Sequence, residues 1–257
     1  MPESVLLARE GEIAIVTLNE PERRNALSLA MREALFEALD HVMAGDARAV
    51  VVTGADGNFC SGGDIKSFDP KAPLVDVRDR LGQLHRVVRL LLTGRKPVIA
   101  AVEGYAFGAG VSLALACDHV VAAKDSRFCA SFNRVALMAD LGLLYTLPLR
   151  VGMGKARELL MLGEVIDATE ALAIRLVDRL VDPGQVLAAA IERARLFAAA
   201  PPVALALTKA ALARMPASLE SVLQMEVDGQ SALFRTEDHA EGRSAFLEKR
   251  QARFKGL

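Results

Sequence analysis

The segment PVIAAVEGYAFGAGVSLALACD, residues 97–118, decides the fold expected of this chain. Its first part, residues 98–102, is a short apolar run typical of a buried strand. A glycine-rich turn follows, and the Ala- and Leu-rich run 111–117 predicts a helix. Because small residues begin this helix, the backbone N–H groups of its first turn have no intrahelical acceptor and remain open to a ligand. The segment therefore predicts a place that can hold an oxyanion.

A second glycine-rich loop strengthens this interpretation. Residues 53–65, TGADGNFCSGGDI, follow the apolar run 49–52, so they also form a strand that leads into a turn. Either loop alone is explained equally well by close packing of a helix under a strand. Two strand-to-loop junctions with free amides can hold one carbonyl oxygen from two sides, which is the arrangement of an oxyanion hole.

Two motifs in this order resemble the crotonase superfamily, also called the enoyl-CoA hydratase/isomerase family, whose members act on acyl-CoA thioesters. They are FCSGGDI at 59–65 and KPVIAAVEGYAFGAGVSLALACD at 96–118, and the similarity extends to FLEKRQARFKG at 246–256. The resemblance implies an α/β fold, a crotonase-type spiral of stacked β-β-α units. It also implies a core at residues 1–200 with the acyl-CoA site and a helical tail at 201–257 that builds trimers.

The order of predicted elements agrees with this fold. Residues 5–9 and 13–19 flank a Glu-Gly turn and predict a hairpin, and a helix is expected from the N-cap Ser28. Strand 48–53 follows, without the spacing of a dinucleotide-binding sheet, which favours stacked β-β-α units over a Rossmann fold. Further helices are predicted at 77–93, 154–162, 168–175, 185–200, 203–214, 219–234 and 241–254, with Leu81, Leu84, Val88, Leu91 and Leu92 as the buried stripe of the first of these.

Composition excludes several classes of function. The 257 residues carry a net charge of −1 with acidic and basic residues interspersed, so nothing favours binding to nucleic acid or to a membrane surface. No secretion signal and no run of bilayer length is found, which predicts a cytoplasmic protein. The three cysteines lack zinc-site spacing and are predicted to be buried thiols. No metal, nicotinamide or flavin motif occurs, so no permanently bound cofactor is expected.

The catalytic groups are inferred from the resemblance. Family hydratases hold a water between two glutamates, and the matching positions here are Ser112 and Phe132, neither of which can act as a carboxylate acid or base. Several family isomerases carry one carboxylate at the position of Asp140. The amides of Gly63 and Ala109 match the oxyanion donors. One acid suffices to move a proton along an enolate, so a double-bond isomerase is predicted.

Asp140 also has a simpler explanation, since aspartate is a common N-cap and a helix is expected to begin near Leu141. Its apolar neighbours would raise its pKa by desolvation if it faces a cavity. Asn133, beside the lost glutamate position, is expected to fix a local turn through a hydrogen bond.

Coenzyme A is expected only as part of the thioester substrate. The resemblance implies CoA contacts by Arg24, Ala26, Leu27, Ser61, Gly62, Asp64, Ile65, Phe254 and Lys255. Arg24 is equally explained as a solvated loop charge, and Lys255 as part of a solvated terminus. The apolar surplus at 219–234 and 241–254 favours packing between subunits, and a homotrimer or a dimer of trimers is expected.

Three other functions compete with an isomerase. A hydratase or lyase can use non-standard groups to hold its water. A thioester hydrolase would need an activated nucleophile, and no Cys or Ser lies beside a His in a suitable motif. A non-catalytic acyl-CoA binder would keep the loops and lose nothing when Asp140 is changed.

The residues that predict an apolar acyl pocket are Phe68, Phe132, Met138 and Tyr145.

Overall fold

The computed structural model describes residues 3–69 and 71–257, in which strands and helices alternate up to residue 181 and only helices follow. The strands are β1 (Val5–Glu10), β2 (Ile13–Leu18), β3 (Ala49–Gly54), β4 (Val98–Val102), β5 (Tyr105–Phe107), β6 (His119–Ala123), β7 (Arg127–Cys129), β8 (Val165–Asp167) and β9 (Arg179–Val181). The helices are α1 (Leu29–Ala44), α2 (Leu74–Thr93), α3 (Ala109–Leu115), α4 (Leu143–Leu162), α5 (Ala168–Ala173), α6 (Val186–Ala198), α7 (Pro202–Leu212), α8 (Leu219–Leu233) and α9 (Glu237–Glu248).

The larger sheet has the strand order β1-β2-β3-β4-β6-β9. The hairpin β1–β2 is antiparallel, as predicted, and every other pair in this sheet is parallel. A sheet of this kind is covered on both faces, so its inner strands are apolar throughout. In β3, Val50 and Val52 join the core formed with α1, α2, α3 and α4, whereas Ala49 and Val51 join the core under α6.

The smaller sheet, β5-β7-β8, positions the two glycine-rich loops. Strand β5 was not expected from the sequence, because three residues are too few to show a period. Its pairing with the first loop is non-local: the Cys60 amide donates to Tyr105 O at 2.9 Å, and the Phe107 amide donates to Cys60 O at 3.0 Å. Residues that are about 45 apart in the chain are therefore held side by side.

The predictions for helices α1 and α2 are confirmed only in part. Ser28 caps α1 as predicted, and its hydroxyl accepts from the Met31 amide at 3.1 Å. The expected start of α2 near residue 77 is wrong, since the helix begins at Leu74. The buried stripe is also narrower than predicted: Leu84 and Leu91 are buried, but Leu81 is 37% exposed. Only Leu84, Val87 and Leu91 of the 20 residues of α2 are buried, so much of this helix lies on the surface of the described chain.

The second half confirms one prediction and corrects another. Helix α4 begins at Leu143, close to the start expected near Leu141, and after a non-helical break at Gly152 it continues as the helix predicted at 154–162. The last helix, α9, spans Glu237–Glu248 instead of 241–254. The residues that follow are not helical, because Asp238 accepts the amides of Lys255 and Gly256 at 2.6 and 2.8 Å and folds the terminus back.

In the described part of the chain, no single helix combines the length and hydropathy needed to cross a bilayer. Helices α6 and α7 meet that test only as a pair, and the two are bent by 107° relative to each other.

Gly110 limits how closely α3 can approach the first glycine-rich loop. A Cβ at this position would overlap the carbonyl oxygen of Cys60. We expect Gly110→Ala to lower the free energy of unfolding by about 1–3 kcal/mol, because the backbone on one side must move. Gly82→Ala in α2 is the matched control: its Cβ meets nothing within 4 Å, so stability should rise by up to about 1 kcal/mol. Urea unfolding measures the free energy of unfolding of both variants. Equal stability of Gly110→Ala and Gly82→Ala would contradict the expectation.

Candidate active site

A cavity of about 250 Å³ lies where the two glycine-rich loops meet the segment before α4. Its walls come from five parts of the chain, so no local stretch of sequence builds it alone. The lining residues are Arg32, Ser61, Gly62, Gly63, Ile65, Phe68, Leu84, Gly108, Ala109, Ser131, Phe132, Arg134, Val135, Leu137 and Asp140.

The two loops touch through their glycines. A Cβ on Gly62 would lie 3.0 Å from Phe107 O and 3.7 Å from the Ala109 nitrogen, and a Cβ on Gly108 would lie 3.9 Å from the Gly62 Cα. Gly62 has φ of 111° and Gly108 has φ of 50°, values that favour glycine. A side chain at Gly62 would press on the Phe107 carbonyl, so this glycine allows the close approach of the two loops.

The amides of Gly63 and Ala109 both border this cavity. Within residues 3–69 and 71–257, neither donates a hydrogen bond to a carbonyl or to a side chain. Their neighbours are fixed: the Leu27 amide donates to Gly62 O at 2.7 Å, and the Gly108 amide donates to Cys129 O at 2.8 Å. Neither N–H group therefore has an acceptor within the described chain, which is a condition for donating to a ligand.

Asp140 lines the same cavity. Its Oδ1 is buried and has no hydrogen-bond partner in the described chain. Burial raises the pKa of this carboxyl above its usual value, and the positive charges of Arg32 and His85 oppose the increase. The capping explanation is wrong: α4 is capped by Gly142, and only the backbone carbonyl of Asp140 takes part, accepting from the Leu143 amide at 3.0 Å.

Arg32 is a cavity residue that the sequence did not reveal. It lies on α1, and its Nε donates to Leu27 O at 2.8 Å. Its Nη2 lies 3.8 Å from the Cβ position of Gly63, beside one of the free amides. Burial and the neighbouring Arg80 lower its pKa. An arginine near the start of an amphipathic helix is typical of a solvated face, so only the three-dimensional structure identifies it.

The residues at the two positions that match the family glutamates lack the carboxylates that hold a water in the family hydratases. Ser112 is completely buried in α3, and its hydroxyl is 3.3 Å from the carbonyl of Gly108 in the same helix start. Phe132 is buried and presents its ring to the cavity. Asn133 is expected from the sequence to fix a local turn. Its side chain instead donates to Met161 O at 2.7 Å and so joins segments that are distant in the chain.

Of the residues predicted to line an apolar pocket, Phe68 and Phe132 do so. Tyr145 does not: its hydroxyl donates to main-chain oxygens of Ala213 and Met215 at 2.7 and 2.6 Å. Met138 is 76% exposed and lies outside the lining. The apolar part of the cavity is therefore smaller than the sequence suggested.

Three of the predicted CoA contacts, Ser61, Gly62 and Ile65, line this cavity, and Arg24 and Asp64 lie next to them. Arg24 lies over the Tyr105 ring at 5.6 Å, and its carbonyl accepts from the Ser61 amide at 3.0 Å. Asp64 is held by Arg23, whose Nη1 donates to it at 3.2 Å. Ile65 is 59% exposed and borders the cavity.

Ala26 and Leu27 are buried, so these two residues can offer a ligand little beyond backbone. Ser61 and Gly62 line the cavity directly.

Phe254 and Lys255 are not brought to the cavity of their own chain. The carbonyl of Phe254 accepts from Arg48 Nη1 at 2.8 Å, and Arg48 precedes β3, whereas the glycine-rich loop follows β3. The Lys255 amide is bound by Asp238. These two residues therefore lie near the start of β3, whereas the glycine-rich loop of the cavity follows its end.

The three cysteines are free and buried, as predicted. Cys60 is next to the cavity lining, but burial raises the pKa of its thiol to about 12, so it is not a thiolate at neutral pH. No group of three metal-ligating side chains occurs within residues 3–69 and 71–257.

Gly63, Ala109 and Asp140 line one cavity of an α/β fold, and similarity to known proteins identifies the class of enzyme. Residues 8–257 match the family model described as Enoyl-CoA hydratase/isomerase. The chain belongs to this family, the crotonase superfamily, and is an enzyme of it.

Relatives of both activities are similar to this chain over its whole length. The 1,2-epoxyphenylacetyl-CoA isomerase of Escherichia coli (strain K12) is 35% identical over 261 residues, covering 100% of both chains. The crotonyl-CoA hydratase of Syntrophomonas wolfei is 35% identical over 260 residues, covering 98% of both.

Solved structures confirm the predicted fold. The enoyl-CoA hydratase from Bacillus anthracis superimposes with a TM-score of 0.92 at 31% identity, covering 99% of this chain and 100% of that one. The enoyl-CoA hydratase from Polaromonas sp. JS666 gives 0.91 at 36% identity, covering 98% and 99%.

Proposed function

We propose that this enzyme moves a double bond within the acyl group of an enoyl-CoA thioester. The observation that carries the proposal is the partnerless Oδ1 of Asp140 in the same cavity as the free amides of Gly63 and Ala109. A buried carboxylate oxygen without a donor is costly unless a ligand or a proton uses it. A carboxylate that acts as the general base toward a C–H group has such an oxygen, free to take the proton.

The reaction needs two proton transfers and no other reactant. The carboxylate of Asp140 takes a proton from C2 of a 3-enoyl thioester, and the electron pair delocalises to the thioester oxygen as a dienolate. The two amides hold that oxygen while its negative charge develops. Asp140 then returns the proton to C4, which leaves a 2-enoyl thioester and restores the carboxylate. The raised pKa of Asp140 suits this exchange because it brings the acid closer to the working pH.

The residues at the two hydratase positions support isomerisation over ordinary hydration. A water needs a base that takes its proton and an acid for the α carbon, and Ser112 and Phe132 supply neither. Relatives named hydratase and relatives named isomerase are equally similar to this chain, so sequence identity alone does not choose between the activities.

Incubation in deuterated water tests the proposal. We expect a 3-enoyl-CoA to become a 2-enoyl-CoA with deuterium at C2 or C4 and no gain of oxygen, as read by mass spectrometry. Crotonyl-CoA in the same buffer is the control for hydration, and a gain of one water that persists in Asp140→Asn would instead support an atypical hydratase. Tight thioester binding without exchange at any carbon would support a non-catalytic binder.

The remaining assignments belong to the same proposal. We propose that CoA is bound at the cavity mouth by Arg24, Ala26, Leu27 and residues 61–65, and that it enters only as part of the substrate. Phe254 and Lys255 would reach it from an adjacent subunit. The cytoplasmic location and the absence of nucleic-acid and membrane partners stay predictions.

A division into a core of residues 1–200 and a tail of 201–257 that forms a homotrimer, or a dimer of trimers, is part of this proposal. Its support is the tail's apolar surface. The exposed apolar residues of α7, α8 and α9 include Leu207, Leu212, Leu219, Leu223, Val227, Phe246 and Leu247. Such a surface favours burial against another copy. Sedimentation equilibrium of the full chain at micromolar concentration tests it, and a monomer would contradict it.

A further inference from the structure

The guanidinium of Arg32 is the charged group of the cavity that the proposed reaction leaves unused. One of its nitrogens, Nε, is bound to Leu27 O. The two terminal nitrogens form no hydrogen bond or salt bridge with any residue in 3–69 or 71–257, although the side chain borders the cavity. A half-buried guanidinium normally has its planar donors occupied by a carboxylate or by carbonyls. This one presents them to the space that the acyl group would fill.

The charge of the cavity wall favours an anionic ligand group. Arg32 and Arg134 line the cavity, against the single carboxylate of Asp140. Arg32 also forms part of the wall of a neighbouring cleft of about 390 Å³, which contains Arg80 and Arg86. The same cleft also contains Glu33 and Glu37, and the carboxylates of Asp140 and Asp64 act on the charge of Arg32. None of these four carboxylates forms a salt bridge with Arg32 within the described chain, and Asp64 is paired with Arg23.

We propose that Arg32 binds a second carboxylate on the acyl group, so that the preferred substrates are monothioesters of short unsaturated dicarboxylic acids. This inference rests on the proposed function, since it places the thioester oxygen at Gly63 and Ala109. A carboxylate matches the fork of a guanidinium with two parallel hydrogen bonds, which gives both affinity and orientation.

The reach of such an acyl group agrees with the geometry. Arg32 Nη2 lies 3.8 Å from the Cβ position of Gly63. Adding a hydrogen bond from the Gly63 amide places the thioester oxygen at most about 9 Å from Nη2. An acyl chain of about six carbons or fewer keeps its terminal carboxylate within that limit. The cavity volume of about 250 Å³ also suits a short acyl group better than a long one.

Binding of saturated thioesters tests the inference without requiring turnover. Glutaryl-CoA and pentanoyl-CoA have five acyl carbons each and differ in the terminal carboxylate, and neither can isomerise. By calorimetry we expect the wild-type protein to bind glutaryl-CoA more tightly by about 10- to 100-fold, the range of a hydrogen-bonded charge pair.

Arg32→Met should abolish this preference while changing the affinity for pentanoyl-CoA by less than about threefold, since Met keeps the apolar stem. Arg32→Lys should keep part of the preference, because it retains the charge but not the fork. Arg78→Met is the matched control, as Arg78 is an exposed arginine of α2 that lines neither this cavity nor the neighbouring cleft, and the preference should persist in it. Circular dichroism of each variant reports on folding.

Equal binding of the two thioesters by the wild type would overturn the carboxylate inference and leave the proposed function standing. The same conclusion follows if folded Arg32→Met keeps the preference for glutaryl-CoA. If neither thioester binds to the wild type, the assignment of an acyl-CoA site fails, and this inference fails with it.

Discussion

Replacing Asp140 with asparagine is expected to lower kcat for 3-enoyl-CoA isomerisation by about 10²- to 10⁴-fold, the usual contribution of a positioned general acid–base. Asparagine has nearly the same shape, so the cavity and the two amides should keep their geometry. KM should change little, because the acid acts on the reacting carbons and not on the CoA part. Steady-state kinetics with a 3-enoyl-CoA measures both constants.

The same variant should not be less stable than the wild type. The pKa of Asp140 is raised in the folded state, so between its unfolded value and this higher value the folded protein binds more protons than the unfolded one. Stability contributed by this group therefore falls as pH rises through that window, and the ionised carboxylate is a net cost at neutral pH. Asparagine removes the cost.

Asp125→Asn is the matched control, since Asp125 is exposed on a turn and its replacement should leave both kcat and unfolding free energy close to wild type. A large loss of stability in Asp140→Asn would indicate a structural carboxylate. Full activity in Asp140→Asn would exclude this residue as the proton shuttle.

The pH dependence of kcat/KM should report the ionisation of Asp140. Isomerisation needs ionised Asp140, so the acidic limb of kcat/KM should lie above the usual aspartate pKa, and below that limb activity falls. Arg32 on α1 and His85 on α2 are the positive charges that lower the pKa of Asp140. Removing the charge in Arg32→Met should therefore move the limb to higher pH.

Removing the Ala109 amide is expected to have the second large effect. Ala109 is the first residue of α3, and proline is tolerated at that position because its missing N–H has no intrahelical acceptor. Ala109→Pro should therefore keep the helix and delete one oxyanion donor. We expect kcat to fall by about 10²- to 10³-fold, the effect of losing one such donor in a characterised hydrolase.

Ala109→Gly is the control for this experiment, because it changes the side chain and keeps the N–H. It should retain kcat within a few-fold of wild type. Thermal unfolding of both variants checks that α3 remains folded. An Ala109→Pro enzyme that is folded and fully active would show that the oxyanion is held elsewhere, and the proposed mechanism would be wrong.

The sequence by itself determined the elements whose signals are local. The hairpin β1–β2, the Ser28 cap, the apolar strands and the two glycine-rich loops all follow from neighbouring residues, because turn chemistry and strand composition are short-range properties. The two loop motifs also identified the family. The sequence could show that Ser112 and Phe132 are not acids, since that depends on residue type alone.

Only the tertiary structure decided which groups meet. Strand β5 forms because the loop before Gly62 pairs with it, and Asp140 faces a cavity instead of capping α4 because Gly142 already starts that helix. Arg32 becomes a cavity residue through packing of α1, and the terminus folds back onto Asp238 instead of continuing α9. Each of these outcomes depends on contacts between residues that are distant in the chain, and no local pattern of amino acids encodes such contacts in a readable form.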